Sequence, residues 1–216
     1  MGANLKFLLT GFEAFDQSTI NPSAEIVKAI TVDPQYATFV QPLILPVDTK
    51  SAPPALLQSV EFHQPDVILC LGEAAHRPVV SIERVALNLL DFRIPDNNGV
   101  IFQDEPIIPH GPAAYFSTIP VRQILHNLLQ AGIPAELSLS AGSYLCNQIL
   151  YTVLHQIAVK QSKQTAGFIH VPSLPQQVVE KNKVYPSMAL ETSLSAVKQI
   201  INTILNTSKT DETIFG

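Results

Sequence analysis

The chain has 216 residues, of which 46% are hydrophobic and only 14% are charged, and its formal net charge at pH 7 is −5. This length and apolar content suffice for one domain with a substantial core. The acidic balance excludes the basic surface of a nucleic-acid-binding protein, and no apolar run approaches the length that crosses a bilayer.

In the first half of the chain, short apolar runs that end at turn residues predict strands, and apolar residues at helical spacing predict helices between them. The predicted elements are a strand over 5–10 that stops at Gly11, a helix opened by Asn21-Pro22-Ser23 with Ser23 as its cap, a strand over 38–46, a helix over 52–61, a strand over 67–72, a strand over 79–88 and a turn over 95–99.

The second half continues this alternation after a long excursion over 100–117 that is rich in proline and aromatic residues. The predicted elements are a helix over 121–131 closed by Gly132, a strand over 135–139, a helix over 143–159, a strand over 166–171 and a helix over 187–205.

This alternation predicts a three-layer α/β/α sandwich around a mostly parallel twisted sheet. We expect a single catalytic domain over 1–207, followed by a polar, frayed tail over 208–216. In such sheets the functional site lies where the strands reach their carboxyl ends. Candidate site residues are therefore those that follow positions 10, 71, 139 and 169.

The low fraction of charged residues has two interpretations: part of the surface is buried in an oligomer, or the core is simply large. The N-terminal apolar run ends at Gly11, too early for a signal peptide, so a cytoplasmic protein is expected. There are two cysteines, Cys70 and Cys146, and neither lies in a Cys-x-x-Cys pair. A metal or another cofactor is therefore not expected.

Of the two cysteines, Cys146 is the candidate nucleophile. If Ser143 caps the following helix, Cys146 falls in its first turn, where free N–H groups and the helix dipole favour a thiolate and could hold an oxyanion. Position alone is equally compatible with a buried thiol that packs the helix onto the sheet. Cys70 lies in the middle of an apolar strand and is interpreted as inert packing.

A general base and an acid for this thiol can also be named. His170 lies at the carboxyl end of a predicted strand, where a base on a separate element is expected, although a backbone-bonded histidine is the alternative. Glu83 lies inside a strand-like run and could orient a histidine. From the residues alone, a solvent-exposed pair of Glu83 and Arg84 at the edge of the strand is favoured. Asp91 and Asp96 are alternative candidates for the acid.

Four segments, taken together, resemble the pyroglutamyl-peptidase I family of cysteine peptidases. They follow the family's order from about residue 5 to about residue 205, and each carries one motif. The segments are 9–15 with 20–23, then 72–97 around Glu83, then 140–147 (Ser-Ala-Gly-Ser-Tyr-Leu-Cys-Asn), and 167–172 (Gly-Phe-Ile-His-Val-Pro).

The resemblance implies an enzyme that removes an N-terminal pyroglutamyl residue from peptides through a thioester acyl-enzyme, without a cofactor and as a homotetramer. It implies a catalytic triad of Cys146, His170 and Glu83. The substrate-binding residues that it implies are Phe12, Phe15 and Tyr144 around the pyroglutamyl ring, and Asn21 and Arg93 at the binding loop and the substrate carbonyl.

The chain departs from the family's usual residues in the loops. The departures are Glu73 for glutamine, Ala75 and His76 for glycines, Phe92 for a small residue, and Asp16-Gln17 for a glycine pair. Two other functions remain compatible with the sequence: a different cysteine amidohydrolase on the same fold, and a binding protein without catalysis. The latter predicts an unreactive Cys146.

Overall fold

In the computed structural model, which describes residues 5–16, 18–180 and 184–214, six strands form a central sheet and two more form a separate pair. The strands are β1 (Phe7–Phe12), β2 (Val40–Leu45), β3 (Val67–Glu73), β4 (Val80–Glu83), β5 (Val85–Leu87), β6 (Ala114–Phe116), β7 (Ala135–Ser138) and β8 (Thr165–Val171). The strand order in the sheet is β2-β1-β3-β8-β4-β7, and β5 pairs with β6.

Helices cover both faces of this sheet. They are α1 (Pro22–Val32), α2 (Ala52–His63), α3 (Val121–Gln130), α4 (Leu145–Lys160), α5 (Pro175–Glu180) and α6 (Leu190–Ile214). Apolar residues of α1, α3 and α6 pack in one core cluster, and those of α2 and α4 pack in another on the opposite face. The predicted single-domain α/β/α fold with a mostly parallel sheet is confirmed.

Alternate residues of the central strands supply these two cores. In β3, Leu69 and Leu71 pack with the first cluster, while Ile68 and Cys70 pack with the second. All of them are fully buried, as expected for a parallel strand covered on both faces. Four strands, β2, β1, β3 and β8, are mutually parallel, so their carboxyl ends lie along one edge.

The single strand predicted over 79–88 is wrong. The chain leaves the central sheet at Arg84, so that β4 belongs to the central sheet and β5 to the small one. In addition, β4 pairs with β8 in the antiparallel sense and with β7 in the parallel sense. Both β4 and β7 therefore run opposite to the other four strands, which alternation of apolar residues could not reveal.

Two predicted helix caps are wrong by one or two residues. Asn21, not Ser23, caps α1, because its side-chain oxygen accepts the Ser23 backbone N–H. Tyr144, not Ser143, precedes the first turn of α4. Helix α5 had no sequence signal that we identified, since it is only six residues long.

The last helix begins later and continues further than its predicted range of 187–205, because α6 runs from Leu190 to Ile214. Its backbone therefore extends into the region predicted as a frayed tail, and the division at residue 207 stays a prediction. Across the described ranges, no helix combines the length and the apolar character needed to cross a membrane.

Candidate active site

A cavity of about 540 Å³ opens at the edge of the sheet where β1, β3 and β8 end. Seven of the eight predicted site residues border it: Phe12, Phe15, Asn21, Arg93, Tyr144, Cys146 and His170. The eighth, Glu83, lies behind His170 and is fully buried. The fold thus brings together residues from four segments that are far apart in the sequence.

The imidazole of His170 pairs with Glu83. Nδ1 of His170 lies 2.7 Å from Oε1 of Glu83, and the two side chains are 5% and 0% exposed. The sheet register places the two residues together. Across the antiparallel β4–β8 pair, Ser81 is the partner of His170 and Glu83 is the partner of Phe168, so that Glu83 and His170 are diagonal neighbours. With Nδ1 engaged by the carboxylate, Nε2 is the nitrogen that can act on a neighbouring thiol.

The rival acids do not make this contact. Asp96 is buried, but its carboxylate accepts hydrogen bonds from Thr49 and from the backbone N–H groups of Asn98 and Val100. Asp91 borders the cavity, where its backbone pairs with Ser143. Among the three acids that the sequence offered, the geometry selects Glu83.

The cation next to Glu83 is Arg77 and not its neighbour in sequence, Arg84. Nη1 of Arg77 lies 2.5 Å from Oε1 of Glu83. Burial acts to raise the pKa of Glu83, but the contacts with His170 and Ser138 and the charge of Arg77 outweigh it and lower that pKa below its usual range. The acid is therefore a carboxylate at neutral pH. Sequence analysis missed this pair, because the partners are six residues apart on either side of a turn into β4.

Cys146 occupies the second position of α4, where backbone N–H groups have no partner within the helix. Since β7 runs against the other strands, its carboxyl end does not lead directly to the site. The segment 139–144 turns back to the cavity and is fixed there by two hydrogen bonds between Ser143 and Asp91, of 2.5 and 3.1 Å. Cys146 thus lies close to its predicted position at the start of a helix. It reaches the cavity through the returning segment 139–144, and not because the preceding strand ends there.

The surroundings of the Cys146 thiol favour its protonated form. Burial raises its pKa well above the usual range, and the negative charge of Glu83 raises it further, whereas Arg77 acts in the opposite direction. The predicted preference for a thiolate at the helix start is therefore outweighed, and reaction requires a base. Burial also raises the pKa of Cys70, to about 12, and this residue is fully enclosed.

The sulfur of Cys146 occupies space that a side chain at position 72 would need. A β-carbon at Gly72 would lie 2.8 Å from Cys146 Sγ and 2.8 Å from Cζ of Phe168. Gly72 is also the register partner of His170 across β3 and β8. Its missing side chain therefore allows the thiol to lie over β3 at the position that pairs with His170.

We expect Gly72→Ala to lower kcat/KM by roughly 100-fold, because displacing a reacting atom by about 1 Å costs that much. Hydrolysis of a pyroglutamyl amide measures the effect. Gly132→Ala is the control, since nothing lies within 4 Å of its added carbon and its φ of +73° costs stability only. Equal activity of Gly72→Ala and wild type would show that the thiol needs no such space.

Aromatic side chains form one wall of the cavity. Phe12 is buried and also belongs to the core, whereas Phe15 is half-buried. The Tyr144 hydroxyl donates to the backbone oxygen of Pro95, and its ring lies 4.5 Å from that of Phe92. The unusual Phe92 is thus a buried support for Tyr144 and leaves the cavity open.

Asn21 fixes the loop that carries Phe15. Its Nδ2 donates to the backbone oxygen of Glu13 at 3.0 Å, while its Oδ1 accepts from Ser23. Arg93 is exposed at the rim of the cavity. The roles that the resemblance implied, with Asn21 at the binding loop and Arg93 at the substrate carbonyl, stay predictions.

The remaining departures from the usual family residues lie along one side of the cavity. Glu73 accepts hydrogen bonds from Ser173 and from Gln177 of α5, and His76 packs edge-on against Tyr185 at 4.8 Å between ring centres. Asp16 borders the cavity, whereas Gln17 lies outside the described residues.

Known proteins resemble this chain over most of its length. The family model for pyroglutamyl peptidase matches residues 5–207. Pyrrolidone-carboxylate peptidase of Vibrio vulnificus is 46% identical over 94% of both chains, and that of Pyrococcus furiosus is 43% identical over 93% of this chain and 98% of the other.

Solved structures agree with these sequence relatives. A variant of the Pyrococcus furiosus pyrrolidone carboxyl peptidase matches with a TM-score of 0.88 at 42% identity, over 94% of this chain and 99% of the other. Pyroglutamyl peptidase I of Bacillus amyloliquefaciens matches with a TM-score of 0.87 at 35% identity, over 94% and 97%. With a family model that spans nearly the whole chain and structures that share its fold, this chain belongs to the pyroglutamyl peptidase family of cysteine peptidases.

Proposed function

We propose that this chain hydrolyses the bond that follows an N-terminal pyroglutamyl residue of peptides, with Cys146 as nucleophile, His170 as base and acid, and Glu83 as the residue that orients His170. The observation that carries the proposal is the convergence of a buried Glu83–His170 pair and a helix-start cysteine on one aromatic-walled cavity. Membership of the pyroglutamyl peptidase family supplies the substrate class.

In the first step, Nε2 of His170 takes the proton of the Cys146 thiol as the sulfur attacks the pyroglutamyl carbonyl carbon. The resulting oxyanion is stabilised by the free N–H groups at the start of α4, at roughly 3–4 kcal/mol per donor in comparable sites. When the tetrahedral intermediate collapses, the C–N bond breaks, and the His170 imidazolium gives its proton to the departing peptide amine.

In the second step, water attacks the thioester carbon while His170 accepts one of the water protons. Collapse of this second intermediate breaks the C–S bond, releases free pyroglutamate and returns the proton to Cys146. Throughout, the Glu83 carboxylate keeps the Nδ1 proton of His170 in place and stabilises the imidazolium. These steps require no cofactor.

The cavity also suits the substrate. Pyroglutamate is a flat, neutral lactam without a free α-amine, so its site needs apolar walls and does not need a carboxylate to bind an ammonium ion. Phe12, Phe15 and Tyr144 supply these walls. The cavity of about 540 Å³ is larger than one five-membered ring requires, which leaves room for the start of the peptide.

A panel of fluorogenic aminoacyl amides tests the proposed activity. We expect hydrolysis of the pyroglutamyl amide and little or none of the prolyl and glutaminyl amides, because these carry a charged α-amine into an apolar pocket. A preference for glutaminyl or prolyl amides would instead identify a different cysteine amidohydrolase. Absence of any hydrolysis, with an unreactive Cys146, would identify a binding protein.

Phe15→Ala tests the ring pocket. Loss of one aromatic wall removes about 1–3 kcal/mol of apolar binding to the transition state, so kcat/KM for pyroglutamyl amides should fall about ten- to a hundredfold. The rate at which iodoacetamide alkylates Cys146 should stay almost unchanged, because the start of α4 and His170 set the reactivity of this thiol.

Phe62→Ala is the matched control, since Phe62 is 81% exposed on α2 and does not border the cavity. If Phe15 were only a clasp onto the core, Phe15→Ala would lower the melting temperature and leave kcat/KM per folded molecule unaltered. That combination would remove Phe15 from the substrate pocket.

We further propose a homotetramer in the cytoplasm. Exposed apolar side chains such as Phe116 and Leu139, together with the low charged fraction, support burial of part of this surface between copies. The two cysteines are unpaired, as expected in a reducing compartment. Light scattering coupled to size exclusion should give four times the chain mass, and a monomer mass would reject the assembly.

A further inference from the structure

Arg77 lies at the cavity, and its guanidinium makes several hydrogen bonds to the protein. Its Nη1 donates to Glu83 Oε1 at 2.5 Å and to Ser138 Oγ at 3.3 Å, and its Nη2 donates to the backbone oxygen of Ser140 at 2.8 Å. One guanidinium thus joins the acid of the proposed triad to the segment 139–144 that leads to Cys146.

The carboxylate of Glu83 depends on few groups for its orientation. Oε1 receives the contacts from both Arg77 and His170, whereas Oε2 is buried and has no hydrogen-bond partner among the described residues. A carboxylate held at one oxygen only can rotate if one of its two partners is removed. Arg77 is therefore one of the side chains that fix Glu83 in the direction of His170.

The same side chain also acts on the nucleophile's segment. Since β7 runs against the central parallel strands, the chain must turn back after Ser138 to place Cys146 at the cavity. The hydrogen bond from Arg77 to Ser140 lies on this return path. Arginine can make both contacts at once because its planar fork presents several N–H groups in fixed directions, which a lysine ammonium cannot do.

Resting on the function proposed above, we propose that Arg77 is a positioning residue, which orients Glu83 toward His170 and locks this pair to the segment that carries Cys146. Although Arg77 borders the cavity, both of its terminal nitrogens are engaged by the protein. Its effect should therefore appear in turnover, and binding of the substrate should change little.

Steady-state kinetics with a fluorogenic pyroglutamyl amide can test this role in Arg77→Gln, Arg77→Lys, Glu83→Gln and the Arg77→Gln/Glu83→Gln double variant. We expect Arg77→Gln to lower kcat at least tenfold with KM within about threefold of wild type, as for loss of an interaction used in the transition state. Arg77→Lys should recover only part of this loss, because it restores the charge without the fork.

The double variant is the decisive arm. Since Arg77 is proposed to act in part through Glu83, the combined loss in the double variant should be clearly smaller than the product of the two single losses. Losses that multiply would show that Arg77 acts independently and would overturn the proposal, as would wild-type kcat in Arg77→Gln. Arg84→Gln makes the same chemical change next to Glu83 in the sequence and should keep wild-type kinetics.

These outcomes separate the positioning role from the proposed function itself. A slow Glu83→Gln with a fully active Arg77→Gln would reject the role of Arg77 alone. A fully active Glu83→Gln would reject the role of Glu83 in the triad. Melting temperatures of all variants, measured alongside, ensure that rates are compared per folded molecule.

Discussion

Cys146→Ser is expected to lose roughly 10⁴- to 10⁶-fold in kcat on a pyroglutamyl amide, the range seen when the nucleophile of a catalytic triad is removed. A serine hydroxyl at this position is a much weaker acid than a thiol, and His170 alone cannot convert it into a comparable nucleophile. The fold should persist, because the substitution changes a partly exposed side chain by one atom of similar size.

Cys70→Ala is the matched control for this variant. Cys70 is enclosed in β3, so the substitution should lower the melting temperature through the cavity that it leaves, while kcat per folded molecule stays at the wild-type value. Substantial activity in Cys146→Ser would remove Cys146 from the role of nucleophile. Equal loss in both variants would point to general damage to the fold.

His170→Ala is expected to lower kcat by at least about 10³-fold at neutral pH, because both proton transfers of the acylation step lose their carrier. The residual activity should also acquire a characteristic dependence on pH. Burial and the charge of Glu83 raise the pKa of the Cys146 thiol, so without a neighbouring base the thiolate exists only as a small fraction at neutral pH. As long as the pH is below the pKa of the thiol, the thiolate fraction increases about tenfold for each unit by which the pH rises.

Loss of His170 should therefore change how hydrolysis depends on pH. Residual hydrolysis by His170→Ala should increase steadily toward alkaline pH, whereas the wild type should already be active near neutrality because His170 removes the proton locally. A pH profile of both proteins measures the difference. Residual activity that is flat with pH, or close to the wild-type rate, would show that another group deprotonates the thiol.

The core of the fold could be predicted because its signals are local. The apolar run in β3 is typical of a covered parallel strand and is buried on both faces, and the predicted ranges of most helices agree with the structure within a few residues. The direction of β4 could not be predicted in this way. A four-residue strand has the same alternation whether it runs parallel or antiparallel to its neighbour.

For the site as well, individual residues could be predicted from local patterns, whereas their pairing could not. Cys146 and His170 each lie in a recognisable local pattern, at the start of a helix and at the end of a strand, so they could be named before the cavity that they share was known. The pairing of Glu83 with Arg77 instead of Arg84 depends on a turn that brings position 77 back over β4, and no local pattern encodes it. The close approach of the sulfur to Gly72 likewise depends on tertiary packing alone.

The most direct test of the account follows alkylation and activity on the same sample. Wild-type protein is treated briefly with iodoacetamide at increasing dose, hydrolysis of the pyroglutamyl amide is measured, and peptide mass mapping gives the modified fraction of each cysteine. We expect activity to fall in proportion to modification of Cys146, which borders the cavity, with Cys70 unmodified because it is fully enclosed in β3. Full activity after complete modification of Cys146, or loss of activity that follows modification of Cys70, would contradict the assignment of Cys146 as the nucleophile.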